Sequence, residues 1–260
     1  MLEISRSGYY SNRKPELKID HENEIISLFQ KHKGRRGKRP IQKLLLRKGI
    51  KISLYKIVKV LRKHNLVAKG GRKRQRKVEK EETVAIAQNL IEDKFSVTLP
   101  DKLLCADICQ VRCASGWVYI SGIIDVALRE LVGWAVATHM RKEIVIESIE
   151  MAHGRYHYSD FKTIFHSDNG SQYTAKKTQE LLAQKQILTS RSRPGKPMDN
   201  QPIESFWKTL KRELADEIRH LKFSQAKMEI INYIGEYNSE RLHSSLNYQT
   251  PFEARALLSA

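Results

Sequence analysis

Asp107, Asp168 and Glu204 are acids standing where acids are costly. Asp107 interrupts the apolar run "LLCADICQV" (103–111), Asp168 follows the run "FKTIFH" (161–166), and Glu204 opens the stretch "IESFWKTLKREL" (203–214). Each has an ordinary explanation. Asp107 fits an acid facing water from an edge strand, Asp168 a turn-former before Asn169-Gly170, and Glu204 a first-turn acid favoured by the helix dipole. Taken together they offer different chemistry. Hard divalent cations take oxygen ligands, and paired Mg²⁺ or Mn²⁺ ions roughly 3.5–4 Å apart are held between carboxylates. In such a site one ion generates the attacking oxygen and the other stabilises the leaving one during in-line phosphoryl transfer. Asp125 is a weaker fourth acid, since "IIDVALREL" reads equally as an acid entering a hairpin turn.

Basic and polar neighbours extend this set. Lys211 lies seven residues after Glu204, two helical turns on and about 10 Å along the same face, where it suits a phosphate better than the carboxylate itself. Lys208 and Arg212 share that basic helix, so a merely exposed Lys211 is the competing reading. His166 precedes Asp168 by two and shares its side of a strand, which allows a supporting or substrate role. Phe206 and Trp207 read as core anchors. Cys105, Cys109 and Cys113 share one strand parity with Asp107, but no paired zinc-ligand spacing accompanies them. No GxxxxGK[ST] loop is present, which argues against ATP dependence.

The elements that must position these residues follow from periodicity. "LLCADICQV", "WVYISGIIDVA" and "ELVGWAVATHM" predict three strands, the last two a hairpin. "KEIVIESIEMAHGRY" predicts a helix, "FKTIFH" a strand, "AKKTQELLAQKQ" a helix and "ILTSR" a strand. The polar loop "SRPGKPMDNQP" then leads into the helix that carries Glu204, with Asp199-Asn200 as cap and Pro202 near its start. A strand meander followed by alternating helix and strand predicts an α/β mixed sheet with helices on its faces.

Charge divides the chain. The formal net charge is +18, yet 20 of the 47 Lys/Arg and none of the 29 Asp/Glu lie between Lys31 and Val78. So concentrated a field favours a polyanion. The same region is periodic. Ile25, Ile26, Leu28 and Phe29 mark one helix, and Pro40 opens a second that Gly49 stops. Ser53 caps a third, whose Leu54, Ile57, Val58 and Leu61 form an apolar face. Short helices around a turn, the last studded with Lys56, Lys59, Arg62 and Lys63, fit a helix-turn-helix that binds DNA. We therefore expect a small all-α DNA-binding domain over 1–68, a basic-to-acidic linker over 69–98 and a catalytic domain over 99–260.

The spacing of Asp168, Glu204 and Lys211, within "HSDNGSQY" and "DNQPIESFWKTLKRE", resembles the DDE transposases of bacterial insertion-sequence family three, relatives of retroviral integrases. "ISRSGYY", "DVALRELVGWAV" and "YNSERLHSSLNYQTPFEA" extend the resemblance over nearly the whole chain. Around Asp107 the sequence departs from the family pattern, with Leu104 where tryptophan is usual and "DIC" in place of "DIT". The resemblance implies a ribonuclease-H-like core with Asp107, Asp168 and Glu204 as catalytic metal ligands. It also implies Lys211 and Lys208 near bound DNA, and metal-dependent cleavage and strand transfer of element ends. Expected partners are terminal inverted repeats, target DNA, further copies of the chain on DNA, and a first-frame protein by fusion or binding. A metal-dependent nuclease of the same fold and a catalytically inactive DNA-binding regulator are the alternatives. With no apolar run long enough to span a membrane, no secretory signal and only three cysteines, a cytoplasmic, nucleoid-associated protein is expected.

Overall fold

The structure, a computed structural model, describes residues 21–70, 99–155, 163–192 and 200–258. The "ISRSGYY" segment, nearly all of the expected linker, Phe161 and Asp199 lie outside them. The chain divides into two compact units, Met1–Gly71 and Arg72–Ala260.

Among the described residues of the first unit, three helices pack around one core: α1 (Glu22–Lys31), α2 (Lys38–Arg47) and α3 (Leu54–Lys63). Helix α2 begins at Lys38, so Pro40 is its third residue, still within the first turn, where no intrahelical N–H partner is lost. It ends as expected at Gly49, whose φ of 78° is left-handed. Gly49 and Ile50 donate their N–H groups to the Leu46 and Leu45 carbonyls, which satisfies the helix end. Ser53 caps α3 by accepting the Lys56 N–H at 3.2 Å. The buried face of α3 is Ile57, Val60 and Leu61, while Leu54 and Val58 are only half-buried. Part of the basic charge is structural, since Arg35 and Arg36 are buried.

The second unit is a five-stranded mixed sheet in the order β3-β2-β1-β4-β5. Strands β1 (Leu103–Cys113), β2 (Gly116–Asp125) and β3 (Leu131–Ala137) form an antiparallel meander. Helix α4 (Lys142–Arg155) crosses over to β4 (Ile164–Ser167), which pairs parallel with β1, and β5 (Leu188–Arg191) pairs parallel with β4. Short α5 (Ser171–Thr174) and α6 (Lys176–Gln184) connect those strands. Then follow α7 (Gln201–Ile218), α8 (Phe223–Glu240) and α9 (Pro251–Leu258), of which the last two were not anticipated.

Strand alternation divides the core by face. Cys105, Cys109, Val111 and Cys113 join the α7–α8 cluster, whereas Leu104 and Ala106 join the α4–α6 cluster. No helix among the described residues is long and apolar enough to cross a membrane.

Candidate active site

Asp107 is not on an edge strand. It sits in β1, the middle strand of the sheet, opposite Gly122 of β2 and on the face covered by α7. The β1–β4 ladder ends at the Cys105–His166 pair. Asp107 and Asp168 each lie two residues beyond that pair on parallel chains, so both emerge where the two strands part. A crevice at the carboxyl ends of parallel strands is where open α/β sheets bind ligands. The turn after β4 is built by its own side chains. Asp168 Oδ1 accepts the Gly170 N–H at 2.9 Å, and Asn169 Nδ2 donates to the Ser192 carbonyl at 2.9 Å. The turn-former reading of Asp168 is therefore correct as far as it goes, and it leaves the carboxylate exposed at the strand end.

Two contacts bring Glu204 to the same place. Asn200 makes no side-chain cap for α7; its Nδ2 donates instead to the Ala106 carbonyl at 2.8 Å, tying the helix start to β1 beside Asp107. Further along, the Trp207 ring lies over Gly122, where an added Cβ would come within 2.7 Å of the indole. Only a residue without a side chain admits that approach. Phe206 and Trp207 are both buried, as expected of core anchors.

The electrostatics register the convergence. Burial pushes the Asp107 carboxyl up to about 7, and the charges of Asp168 and Glu204 add to the rise. The Ile108 N–H and the Trp207 indole oppose it, although the indole forms no hydrogen bond of ordinary geometry. Among the described residues, no three His, Cys, Asp or Glu side chains stand close enough to hold a metal ion. The positions explain why. Asp168 is turned back onto Gly170, and Glu204 leans 3.9 Å from the Lys208 ammonium. The donor set itself, three carboxylates of which Asp168 and Glu204 add to the raised proton affinity of Asp107, matches a hard cation.

Other expected residues fall into place differently. Burial pushes the Cys109 thiol up to about 12, while the Lys211 ammonium beside it pulls the other way. That places exposed Lys211 over β1, two residues past Asp107. His166 is fully buried between Ser190 (2.9 Å) and Ser192 (3.0 Å), which gives it a packing role on β4 and β5. The three cysteines are free and buried. Asp125 caps the β2–β3 turn by accepting the Leu128 N–H at 2.9 Å, and lies 3.7 Å from Arg255.

In the first unit Lys63 is bound by Glu22 at 2.8 Å, with His64 on the same carboxylate. Lys56 is half-buried. Lys59 and Arg62 instead line a groove of about 400 Å³ with Lys38, Val58 and Tyr55, a residue 78% exposed. The sequence reading overlooked Tyr55, though an aromatic on the outer face of a basic helix was a visible signal.

A mixed five-stranded sheet with acids at this crevice defines an integrase core of ribonuclease-H-like architecture. Integrase core domain models match residues 97–197 and 185–251. A chain of the simian T-cell lymphotropic virus intasome has the same fold, with a TM-score of 0.51 and 14% identity over 82% of this chain and 69% of that one. The transposase for insertion sequence element IS904 of Lactococcus lactis is 35% identical over 246 residues, 92% of this chain and 96% of that protein. The insertion element IS600 31 kDa protein of Shigella sonnei is 32% identical over 95% of this chain and 93% of that protein. Transposase InsF for insertion sequence IS3A of Escherichia coli is 26% identical over 94% and 88%. The chain belongs to the insertion-sequence transposases, and its enzyme class is that of the DDE polynucleotidyl transferases.

Proposed function

We propose that Asp107, Asp168 and Glu204 hold two Mg²⁺ or Mn²⁺ ions and that strand cleavage and joining of element DNA occur there. The observation that carries this is the placement of Asp107 and Asp168 at equal distances past the Cys105–His166 pair, with Glu204 tethered above them through Asn200. When bound, the metal supplies Lewis-acid stabilisation of the attacking and leaving oxygens. The protein's own residues do the positioning. Asp107 offers a carboxyl whose proton a cation displaces near neutral pH. Glu204, whose ion-pair neighbour among the described residues is Lys208 at 3.9 Å, would supply the third carboxylate to the ions, and Lys208 and Lys211 would meet phosphates along α7.

We assign DNA docking in the first unit to Tyr55, Lys59 and Arg62, one stripe of α3 at positions i, i+4 and i+7, and drop Lys63 because Glu22 holds it. We expect further copies of the chain to assemble with it on DNA, in the cytoplasm where a chromosome is accessible. A first-frame protein is the expected further partner.

The test uses end-labelled duplexes carrying the element termini. Wild-type protein with Mg²⁺ or Mn²⁺ is expected to give nicked and joined products, and Asp168→Asn and Glu204→Gln neither, with duplex binding retained. Nicking without joining would assign a nuclease; unchanged turnover in the variants would remove the metal assignment.

A further inference from the structure

A second site lies on the neighbouring flank of α7. Gln201, Ser205 and Thr209 form a stripe about 100° around the helix from Glu204 and Lys208. With the end of α8 and the β2–β3 turn they enclose a cavity of about 370 Å³, a size typical of small-ligand sites. Its floor is apolar, formed in part by Phe206 and Tyr237, and its rim is polar.

Charge on the rim is uneven. Arg241 places Nη1 on both oxygens of buried Glu213, at 3.1 and 2.8 Å, and Tyr233 donates to the same carboxylate. That arginine is neutralised. Arg129, also on the rim, makes no hydrogen bond or ion pair among the described residues. It is nevertheless firmly placed. Its φ of 56° is left-handed, and the turn that carries it is closed by the Asp125 N–H on the Glu130 carbonyl at 2.8 Å and by Asp125 Oδ1 on the Leu128 N–H. Arg129 is half-buried on this hydrogen-bonded turn and lines the same cavity as Ser205 and Ser245, an arrangement that an anion would complete. A guanidinium fork favours two-point binding to a phosphate.

We propose that this cavity is a phosphate-binding site, separate from the three-carboxylate site, with Arg129 as its principal anchor. The phosphate belongs either to the backbone of DNA already engaged at Glu204, one residue from Ser205, or to a free nucleotide. The DNA source rests on the function proposed above; the free source does not.

The experiment uses the full chain and Arg129→Gln, which keeps a long polar side chain at the left-handed position. In one arm, deoxynucleoside monophosphate and inorganic phosphate are titrated without DNA while melting is followed. In the other, duplex ends carry a neutral methylphosphonate at one linkage at a time, and binding is measured at several salt concentrations. A DNA source predicts one linkage whose neutralisation weakens wild-type binding at least about tenfold and Arg129→Gln less than about twofold, with a salt slope shallower by about 0.9 in the variant. A free source predicts saturable wild-type stabilisation that the variant loses. Ser205→Ala, tested alongside, should reduce the same signal in part and guards against a folding defect in the first variant. The proposal is overturned when every linkage affects both proteins equally and neither phosphate stabilises the wild type. Metal-dependent joining by the wild type is scored on the same duplexes. Joining with no Arg129 effect sinks this site alone, whereas absence of joining sinks the functional reading and leaves the phosphate titration to decide the pocket.

Discussion

Replacing Asp107 with asparagine should stabilise the protein when no divalent ion is present. The folded carboxyl is raised to about 7, burial being the main cause, against about 3.9 in an unfolded chain. A raised carboxyl favours the folded state while protonated, so its contribution is intact below pH ~4 and is lost as pH climbs through about 7. Three pKa units correspond to about 4 kcal/mol, and water reaching this half-buried site cuts that to about 2 kcal/mol. For a unit of this size about 2 kcal/mol moves the melting point by roughly 4–8 °C. In EDTA at pH 8.5 Asp107→Asn should therefore melt higher than wild type by that margin, and at pH 3, below both carboxyl values, the two should converge. Adding Mg²⁺ should raise the wild type and leave the variant unmoved, since the ion binds the folded ligand set only. Calorimetry or dichroism melts across pH check both halves. A variant that melts below wild type in EDTA at pH 8.5, or a difference that ignores pH, would refute the argument that Asp107 is destabilising until a cation meets it.

Further expectations concern residues away from the acids. Arg255→Ala should cost about 3–5 kcal/mol in urea unfolding, because α9 is clasped by Arg255 to buried Glu130 and to Asp101, with Asp125 alongside; a loss below about 1 kcal/mol would show the clasp to be idle. Gly122→Ala should lower stability by about 1–3 kcal/mol and reduce joining more than duplex binding, by pushing Trp207 off β2; unaltered joining would detach α7 from site assembly. Lys59→Ala and Arg62→Ala should each weaken duplex binding and flatten its salt dependence by about one charge, while Lys63→Ala leaves both nearly unchanged. Equal effects at all three positions would refute the division drawn from the Glu22 pairing.

Much of the architecture was legible because the signals are local. Ser53, Gly49 and the β-rich run "WVYISGIIDVA" act over a few residues, and each specified the cap, stop or strand found. What escaped depends on distant partners. Lys63 reads as a free cation until Glu22, 41 residues earlier, folds against it. Asn200 reads as a helix cap, yet the Ala106 carbonyl, left without a β4 partner past the Cys105–His166 pair, takes its amide. Asp107 reads as an edge acid because nothing within "CADIC" reveals that the chain returns as β4 on its other side. Gly122 did carry a usable hint, since a glycine inside "YISGIID" marks a close approach by another element.

These long-range contacts bear on how the acids can work. Three carboxylates from a strand centre, a strand end and a helix repel one another, so no local preference gathers them. The work falls to uncharged contacts around them: Trp207 on Gly122, Asn200 on Ala106, and Asn169 on Ser192. Each fixes backbone, not carboxylate, which leaves Asp168 on Gly170 and Glu204 near Lys208 able to swing inward. Within this frame of uncharged contacts Asp168, on Gly170, and Glu204, near Lys208, stand too far from Asp107 to share one ion as placed. Loosening the frame at Gly122 and removing an acid at Glu204 should then differ in kind: the first weakens metal affinity and stability together, the second abolishes metal binding in a protein that stays folded.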